Sequence, residues 1–369
     1  MRVCCFDCGT VTDFRPEAWC CECGGAWEPV LPARFDPALI RTADHSLWRY
    51  GPMLGLDLER PARRMGVGWT PLVPVRLGER DMQLKLAFLS PSGSFKDRGV
   101  NAMVNQLSTM GVTTVVEDSS GNAGASLAAH AARFGLEAEI YVPAYASPAK
   151  QAQIAVYGAQ LKSITGPREA AARAAQAAVG PGRAYASHAY NPAYLAGQVS
   201  AAYEIWEQLG RRAPDWIILP VAQGGLFLGL AFGFRLLRES GLVAKRPRLV
   251  AVQPERIAPI AAAWETGLDR IPAVEQTGPT LAEGVAVPRP VRDKRILEAL
   301  RETEGRALTV SEGAIAAAQD QLARAGYYVE PTSALALAGF LALREEIDEA
   351  VTVVLPLTGT GLKGEPTIK

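Results

Sequence analysis

Ser90-Pro91-Ser92-Gly93-Ser94-Phe95-Lys96-Asp97-Arg98-Gly99 is the stretch on which the reading of this chain turns. Upstream of it, Leu84–Phe88 is an apolar run of strand length. Downstream, Val100, Met103, Val104 and Leu107 fall at i, i+3, i+4 and i+7, which predicts a helix over Ser94–Met110 that Gly111 stops. Lys96 therefore stands in the first turn of a helix that follows a strand. There the positive end of the helix dipole tends to lower an amine pKa, which suits a nucleophile or a Schiff-base former. Lysine is also scarce, at 8 of the 38 basic residues. A chain so biased to arginine keeps lysine at a position where arginine could not do imine chemistry. The plain alternative is a surface lysine near a helix start.

Working outward, the same alternation continues. Strands are expected at Thr113–Glu117, Glu139–Val142, Gln160–Ile164, Trp216–Val221, Leu249–Gln253 and Val351–Leu355. Helices are expected at Asn122–Phe134, Pro148–Tyr157, Arg168–Val179, Gly197–Leu209, Leu226–Glu239, Ser311–Ala325 and Ser333–Glu346. Strands alternating with helices mean an α/β architecture with mostly parallel sheets. The segment from Gly25 to Gln83 is weakly periodic and reads as connecting structure with short elements.

In open α/β sheets, ligands sit beyond the carboxyl ends of strands, where loops enter helices. Two further loops fit that description. Ser119-Ser120-Gly121-Asn122-Ala123-Gly124 exposes backbone N–H groups suited to a carboxylate, or is simply a helix cap. Val221-Ala222-Gln223-Gly224-Gly225-Leu226 lets N–H groups converge on a phosphate. It is neither a nucleotide P-loop nor a G-x-G-x-x-G turn, which disfavours kinase and oxidoreductase readings.

All six cysteines lie between Cys4 and Cys23. Such crowding is unlike a disulfide framework and fits a local metal site in a reducing compartment. Cys5-x-x-Cys8-Gly9 and Cys20-x-x-Cys23-Gly24 supply four thiolates, enough for a closed tetrahedral zinc site. The expected ligands are Cys5, Cys8, Cys20 and Cys23; Cys4 and Cys21 are offset from the knuckle register and read as spare thiols, although they allow alternative ligand sets. Four sulfurs leave no open position, so the metal is expected to be structural.

The length of 369 residues suggests about two domains. Lys+Arg and Asp+Glu number 38 each, and Met1–Pro32 has two basic residues against five acidic ones, a poor match to nucleic acid. Hydrophobic residues at 49% and charged residues at 21% exclude wholesale disorder. The N-terminus lacks the pattern of a signal peptide. The uncharged run Trp216–Phe234 is broken by Pro220, Gln223, Gly224 and Gly225, so a buried strand, turn and helix fit better than a membrane span. The expected location is cytoplasmic, with no membrane or nucleic-acid partner.

Taken together these motifs resemble the fold-type II pyridoxal phosphate (PLP) enzymes of the tryptophan synthase β-like superfamily, most closely the threonine synthase-like group. Ser92–Gly99 is similar to the family's cofactor-lysine motif, Ser119–Asn122 to its asparagine loop and Gln223–Leu226 to its phosphate loop. Glu330-Pro331-Thr332-Ser333-Ala334 and Thr358-Gly359-Thr360-Gly361-Leu362-Lys363 are similar to its two C-terminal signatures, and Cys5–Cys23 to a zinc-ribbon extension of some members. The resemblance implies two open parallel-sheet domains with PLP between them. The expected division is 1–32 as a zinc-ribbon-like element, 86–189 as a smaller α/β domain, and 33–85 with 190–369 as a larger one. It implies that Lys96 holds the cofactor covalently and is the catalytic base. Phe95 would pack beside it, and Asn122 would bond the phenolic oxygen. Gln223, Gly224, Gly225, Leu226 and Phe227 would cradle the phosphate, and Thr358 would face the pyridine nitrogen. Ser119, Ser120 and Gly121 would bind the substrate carboxylate. A homodimer is implied too.

The chain departs from threonine synthases in Ser187–Ser200. Tyr194 stands where an arginine is expected and Val199 where a lysine is expected. Losing two cations from a phosphate site is a large electrostatic change. His188, Tyr190 and Tyr194 then shape a less anionic pocket, or are core and rim residues; His130 reads as a packing residue. The leading expectation is a PLP enzyme that eliminates or replaces a β- or γ-substituent on an amino acid, without a phosphorylated substrate. The alternatives are a threonine synthase acting on O-phosphohomoserine and a serine/threonine ammonia-lyase. From another class comes a catalytically inactive zinc-ribbon interaction protein.

Overall fold

The computed structural model describes residues 1–58, 62–77, 79–145 and 148–364. The chain forms two compact units. One comprises Met1–Pro32, Pro37–Gly68 and Ser90–Gln198; the other comprises Ala33–Asp36, Trp69–Leu89 and Val199–Lys369.

The first unit opens with a small antiparallel sheet of β1 (Arg2–Cys5), β2 (Val11–Asp13) and β3 (Trp27–Pro29), in the order β2-β1-β3. Its main sheet is parallel. It contains β6 (Thr114–Glu117), β7 (Glu137–Pro143), β8 (Gln160–Ile164) and β9 (Arg183–Tyr185), ordered β8-β7-β6-β9. The helices are α1 (Lys96–Thr109), α2 (Asn122–Phe134), α3 (Pro148–Ala155) and α4 (Arg168–Ala177), followed by α5 (Pro192–Gln208), within which the division between units falls. Val100, Met103, Val104 and Leu107 of α1 are all buried, as their spacing predicts, in one core with Leu127, Ala128 and Ala131 of α2. Burying each larger side chain contributes about 1.5–3 kcal/mol. Val3, Cys5, Phe14, Cys21 and Trp27 of the cysteine-bearing segment belong to the same core. The order of the sheet reverses at β6, with β7 on one side and β9 on the other. The loops after β6 and β9 therefore open at one end, at the switch point where α/β sheets take ligands.

The second unit has a six-stranded sheet. Its strands are β4 (Leu72–Leu77), β5 (Arg80–Lys85), β10 (Trp216–Pro220), β11 (Arg248–Pro254), β12 (Arg306–Val310) and β13 (Val353–Pro356). The order is β12-β11-β10-β13-β5-β4, parallel except for β4. Helices α6 (Gly225–Glu239), α7 (Pro259–Glu265), α8 (Asp293–Glu302), α9 (Glu312–Arg324) and α10 (Pro331–Leu343) complete it. Gly339 lets α10 lie directly on the sheet, because a Cβ there would stand 2.4 Å from Val252 Cγ2. The order reverses between β10 and β13, so the loops that follow these two paired strands open side by side.

Two differences from the sequence reading have clear causes. The strand expected at Leu84–Phe88 runs instead over Arg80–Lys85, because it forms a hairpin with β4 in which Leu77 pairs Arg80 and Leu72 pairs Lys85. Strands β4, β9 and β12 and helices α7 and α8 were not expected. β4 is an edge strand that tolerates Pro74, and α8 carries charge around a narrow buried stripe of Ile296, Leu297 and Leu300.

Candidate active site

Lys96 is the first residue of α1, and no side chain caps that helix end. Its Nζ lies 4.6 Å from the centre of the Phe95 ring. The approach to the helix is fixed from beneath by buried Asp97. That carboxylate accepts hydrogen bonds from Ser92 N at 2.7 Å, Ser92 Oγ at 2.5 Å and Ser126 Oγ at 2.5 Å. One turn on, a Cβ at Gly99 would meet Tyr194 Cδ2 at 2.4 Å, so glycine is what lets the tyrosine ring lie against α1.

The Ser119–Asn122 loop follows β6 and enters α2, whose end is capped by Gly121 without a side-chain bond. A Cβ at Gly124 would stand 1.9 Å from Ser119 O, so the loop packs tightly on the first turn of the helix. The first N–H groups of a helix have no partner within it, and the local dipole favours an anion. His188, in the loop after β9, reaches the end of β6. Its Nδ1 lies 2.9 Å from Glu117 Oε1, and its backbone N–H donates to Glu117 Oε2 at 3.3 Å. Burial, with Asp118 beside it, pushes the Glu117 carboxyl well above the usual range. Burial, and then the positive charges of Lys96 and Arg168, hold His188 well below its usual value. Both shifts favour uncharged forms. Tyr194 is almost fully buried, edge-on to His188 at 6.1 Å, and its hydroxyl has no hydrogen-bond partner among the described residues. His130 is buried, with Nδ1 2.8 Å from Ser126 O, as expected of a packing residue.

In the second unit the loop Val221–Gly224 follows β10. Gly224 has φ 81° and caps α6, and a Cβ there would stand 2.7 Å from Ile296 Cδ1. Gln223 Oε1 accepts from Val291 N at 2.9 Å, which fixes the turn. Leu226 and Phe227 are buried in the first turn of α6. A glycine turn feeding a helix end that no side chain caps fits a phosphate group. Thr358 follows β13 and is held by Ser333, whose Oγ lies 3.0 Å from Thr358 Oγ1 and accepts from Thr358 N at 3.0 Å and Gly359 N at 2.7 Å. A hydroxyl is thereby fixed beyond the strand, with no carboxylate in its place. Val199 is fully buried, its Cγ1 3.4 Å from where a Cβ of Gly233 would lie.

The thiols gather into one cluster. The sulfurs of Cys5, Cys8, Cys21 and Cys23 lie within 4.8 Å of one another, with Cys5–Cys23 at 3.5 Å and Cys8–Cys21 at 3.6 Å. A tetrahedral zinc site with Zn–S of about 2.3 Å separates its sulfurs by about 3.8 Å, so the spacing fits such an ion. The gathered set differs from the expected one at one position, with Cys21 in the cluster where Cys20 was expected. Gly24 N donates to Cys21 O and Cys21 N to Gly25 O, closing a tight turn based on Cys21 and leaving Cys20 outside it. Burial pushes the Cys5 thiol up to about 12, whereas bonds from Thr10 hold the exposed Cys8 near 6. A bound cation favours the thiolate form of every ligand.

Sequence reasoning gave no role to Glu117, Asp97, Ser126 or Ser333, all buried; Glu117 is bonded to His188 and Ser333 to Thr358, while Asp97 and Ser126 are bonded to each other beneath Lys96. Asp97 follows Lys96 directly and Glu117 ends an expected strand, but only the fold gives them partners.

Each unit thus carries a glycine- or serine-lined loop leading into a helix N-terminus at its switch point, and Lys96 stands at a helix start in the first. Comparison with known proteins shows the class. Residues 63–359 match the family described as "Pyridoxal-phosphate dependent enzyme". The chain is similar to threonine synthase from Methanosarcina acetivorans, at 32% identity over 99% of this chain and 92% of the relative. It is also similar to threonine synthase from Methanocaldococcus jannaschii, at 31% identity over 97% and 92%. Among solved structures it is similar to a threonine deaminase from T.th., with TM-score 0.68 and 29% identity over 80% of this chain and 94% of that one. The chain belongs to the pyridoxal-phosphate dependent enzyme family and is a threonine synthase-like PLP-dependent lyase of fold type II. Among the described residues no helix is long and apolar enough to cross a membrane.

Proposed function

We propose that the chain eliminates or replaces a β- or γ-substituent of an amino acid that carries no phosphate. PLP, when bound, supplies the electron sink that stabilises negative charge at the α-carbon of an amino acid. Lys96 would hold the cofactor through its amine and, once released, take the Cα proton. Phe95 would pack beside the cofactor, and Asn122 would bond its phenolic oxygen. Gln223, Gly224, Gly225, Leu226 and Phe227 would receive the phosphate. The Thr358 hydroxyl, fixed by Ser333, would face the pyridine nitrogen without enforcing its protonation, which suits elimination and replacement. Ser119, Ser120, Gly121 and the first turn of α2 would hold the substrate carboxylate, with His188 beside them. Cys5, Cys8, Cys21 and Cys23 would hold a structural zinc ion.

The observation that carries the unphosphorylated substrate is the pair Tyr194 and Val199. Both positions are buried and apolar in character, where the family resemblance leads one to expect cations. His188, held uncharged, adds no compensating charge. Two other readings have support. The relatives named threonine synthase favour O-phosphohomoserine, and the likeness to a threonine deaminase favours an ammonia-lyase. Incubation with L-serine, L-threonine and O-phospho-L-homoserine separates them. The expected result is turnover of an unphosphorylated amino acid; release of phosphate from the third compound overturns it.

A further inference from the structure

The geometry points to Trp19 as a positioning residue that ties the cysteine cluster to the loop Ser119–Asn122. Trp19 lies two residues before Cys21. Its backbone is pinned from the ribbon side, because Trp27 Nε1 donates to Ala18 O at 2.9 Å and Trp27 pairs with Cys5 across β3 and β1. Its ring is gripped from the other side. It stands edge-on to Tyr185 at 5.4 Å and 87°, and edge-on to Tyr190 at 4.8 Å and 83°. These tyrosines bracket the segment 185–190, and that segment holds the end of β6. The Tyr185 hydroxyl donates to Asp118 Oδ1 at 2.5 Å, while His188 binds Glu117 through both its backbone N–H and its ring. Ser119 is the next residue. The contacts thus run without a gap from the Cys21 turn through Trp19 and the two tyrosines to Glu117 and Asp118, where the loop begins.

The apolar group that Trp19 joins is small: Val116, Ala175 and Tyr185, with Tyr141, Ala178, Val179 and Tyr190 around them. It is separate from the cluster that includes α1 and α2. Removing the indole therefore loosens the segment 185–190 and the end of β6 while the main core of the unit stays packed. A ribbon whose sulfurs have lost their ion would free the same ring. The cluster then controls the geometry of the loop without touching substrate.

Only the description of Ser119–Asn122 as the substrate loop rests on the function proposed above. The test is amide hydrogen exchange on the full-length, cofactor- and zinc-loaded protein. In Trp19→Ala, residues 117–122 and 185–190 should exchange about tenfold faster, while α1 exchanges as before. Trp19→Phe, which keeps an edge-on ring, should restore most of the protection. Chelation of the metal from the wild-type protein should also speed exchange at 117–122 and 185–190, together with the part of the main core that Cys5 and Cys21 join. Unchanged exchange at 117–122 in Trp19→Ala, equal acceleration throughout the unit, or a loop indifferent to chelation overturns the proposal. If the loop loosens but a spectral titration with L-threonine is unaltered, the carboxylate assignment fails and the positioning role stands.

Discussion

Replacing Gly224 by alanine tests the turn proposed to receive the phosphate. The residue has φ 81°, and a Cβ would stand 2.7 Å from Ile296 Cδ1 and 2.8 Å from Ile296 Cγ1. A non-glycine residue in the left-handed region costs about 1–2 kcal/mol. Ile296 is fully buried, so the extra methyl also overpacks the site, by about 1–3 kcal/mol. Together these destabilise the apoprotein by about 2–5 kcal/mol. The turn relieves the clash by shifting the first N–H groups of α6. Charge-assisted hydrogen bonds contribute about 1.5–3 kcal/mol each, so misaligning one weakens PLP binding by about 10- to 100-fold. Gly241 is the control. It has φ 74° with nothing within 4 Å of a Cβ, so alanine there bears only the backbone cost, about 1–2 kcal/mol, and leaves PLP affinity unchanged. Adding Ile296→Val to Gly224→Ala removes the closest atom and should recover part of the affinity. Urea unfolding of the apoproteins and absorbance titration with PLP measure the two effects. If Gly224→Ala lowers stability but binds PLP as tightly as the wild type, the phosphate does not sit on this turn.

Three further outcomes follow from buried charge and from the thiol cluster. Lys85 Nζ is buried against Glu204 Oε2 at 2.9 Å, Gln208 Oε1 at 2.8 Å and Thr70 O at 2.6 Å. Lys85→Met strips the buried glutamate of this cation and should cost about 3–5 kcal/mol in urea unfolding, whereas Lys85→Met with Glu204→Met should cost markedly less; equal losses would contradict the ion-pair account. Because burial raises the Glu117 carboxyl, its contribution to stability is present at acid pH and is lost as pH rises through the folded-state value. Glu117→Gln stays neutral, so its stability relative to the wild type should increase between pH 5 and pH 8; a constant gap would show that Glu117 titrates normally. Cys21→Ser should lower the zinc content of the purified protein and Cys20→Ser should not, and the reverse result would restore the evenly spaced ligand set.

The parts of the fold legible in the sequence were those with strong local signals. The helix at Asn122–Phe134 was bounded by a glycine stop, and Val100, Met103, Val104 and Leu107 announced the buried face of α1. Gln160–Ile164 stood between clear breaks. What was not legible depended on pairing across the chain. β4 becomes a strand because β5 folds back on it, and its Pro74 and Arg76 hide it from a propensity reading. The choice between Cys20 and Cys21 was hidden for a similar reason. C-x-x-C spacing favours Cys20, but the turn that Gly24 and Gly25 close is based on Cys21. At the candidate site, Lys96 and Gly224 were singled out from their place between strand and helix, and Thr358 from the family resemblance alone. Glu117 was passed over because one carboxylate ending an apolar strand gives no hint that His188, 71 residues later, will meet it.

The central claim is that Lys96 holds the cofactor. Loading the full-length protein with PLP, reducing it with borohydride and mapping the adduct by peptide mass spectrometry tests it directly. The expected result is a cofactor absorption band that borohydride bleaches, an adduct on the peptide containing Lys96, and no such band in Lys96→Ala. An adduct on any of the other seven lysines, or a band that survives Lys96→Ala, would contradict it.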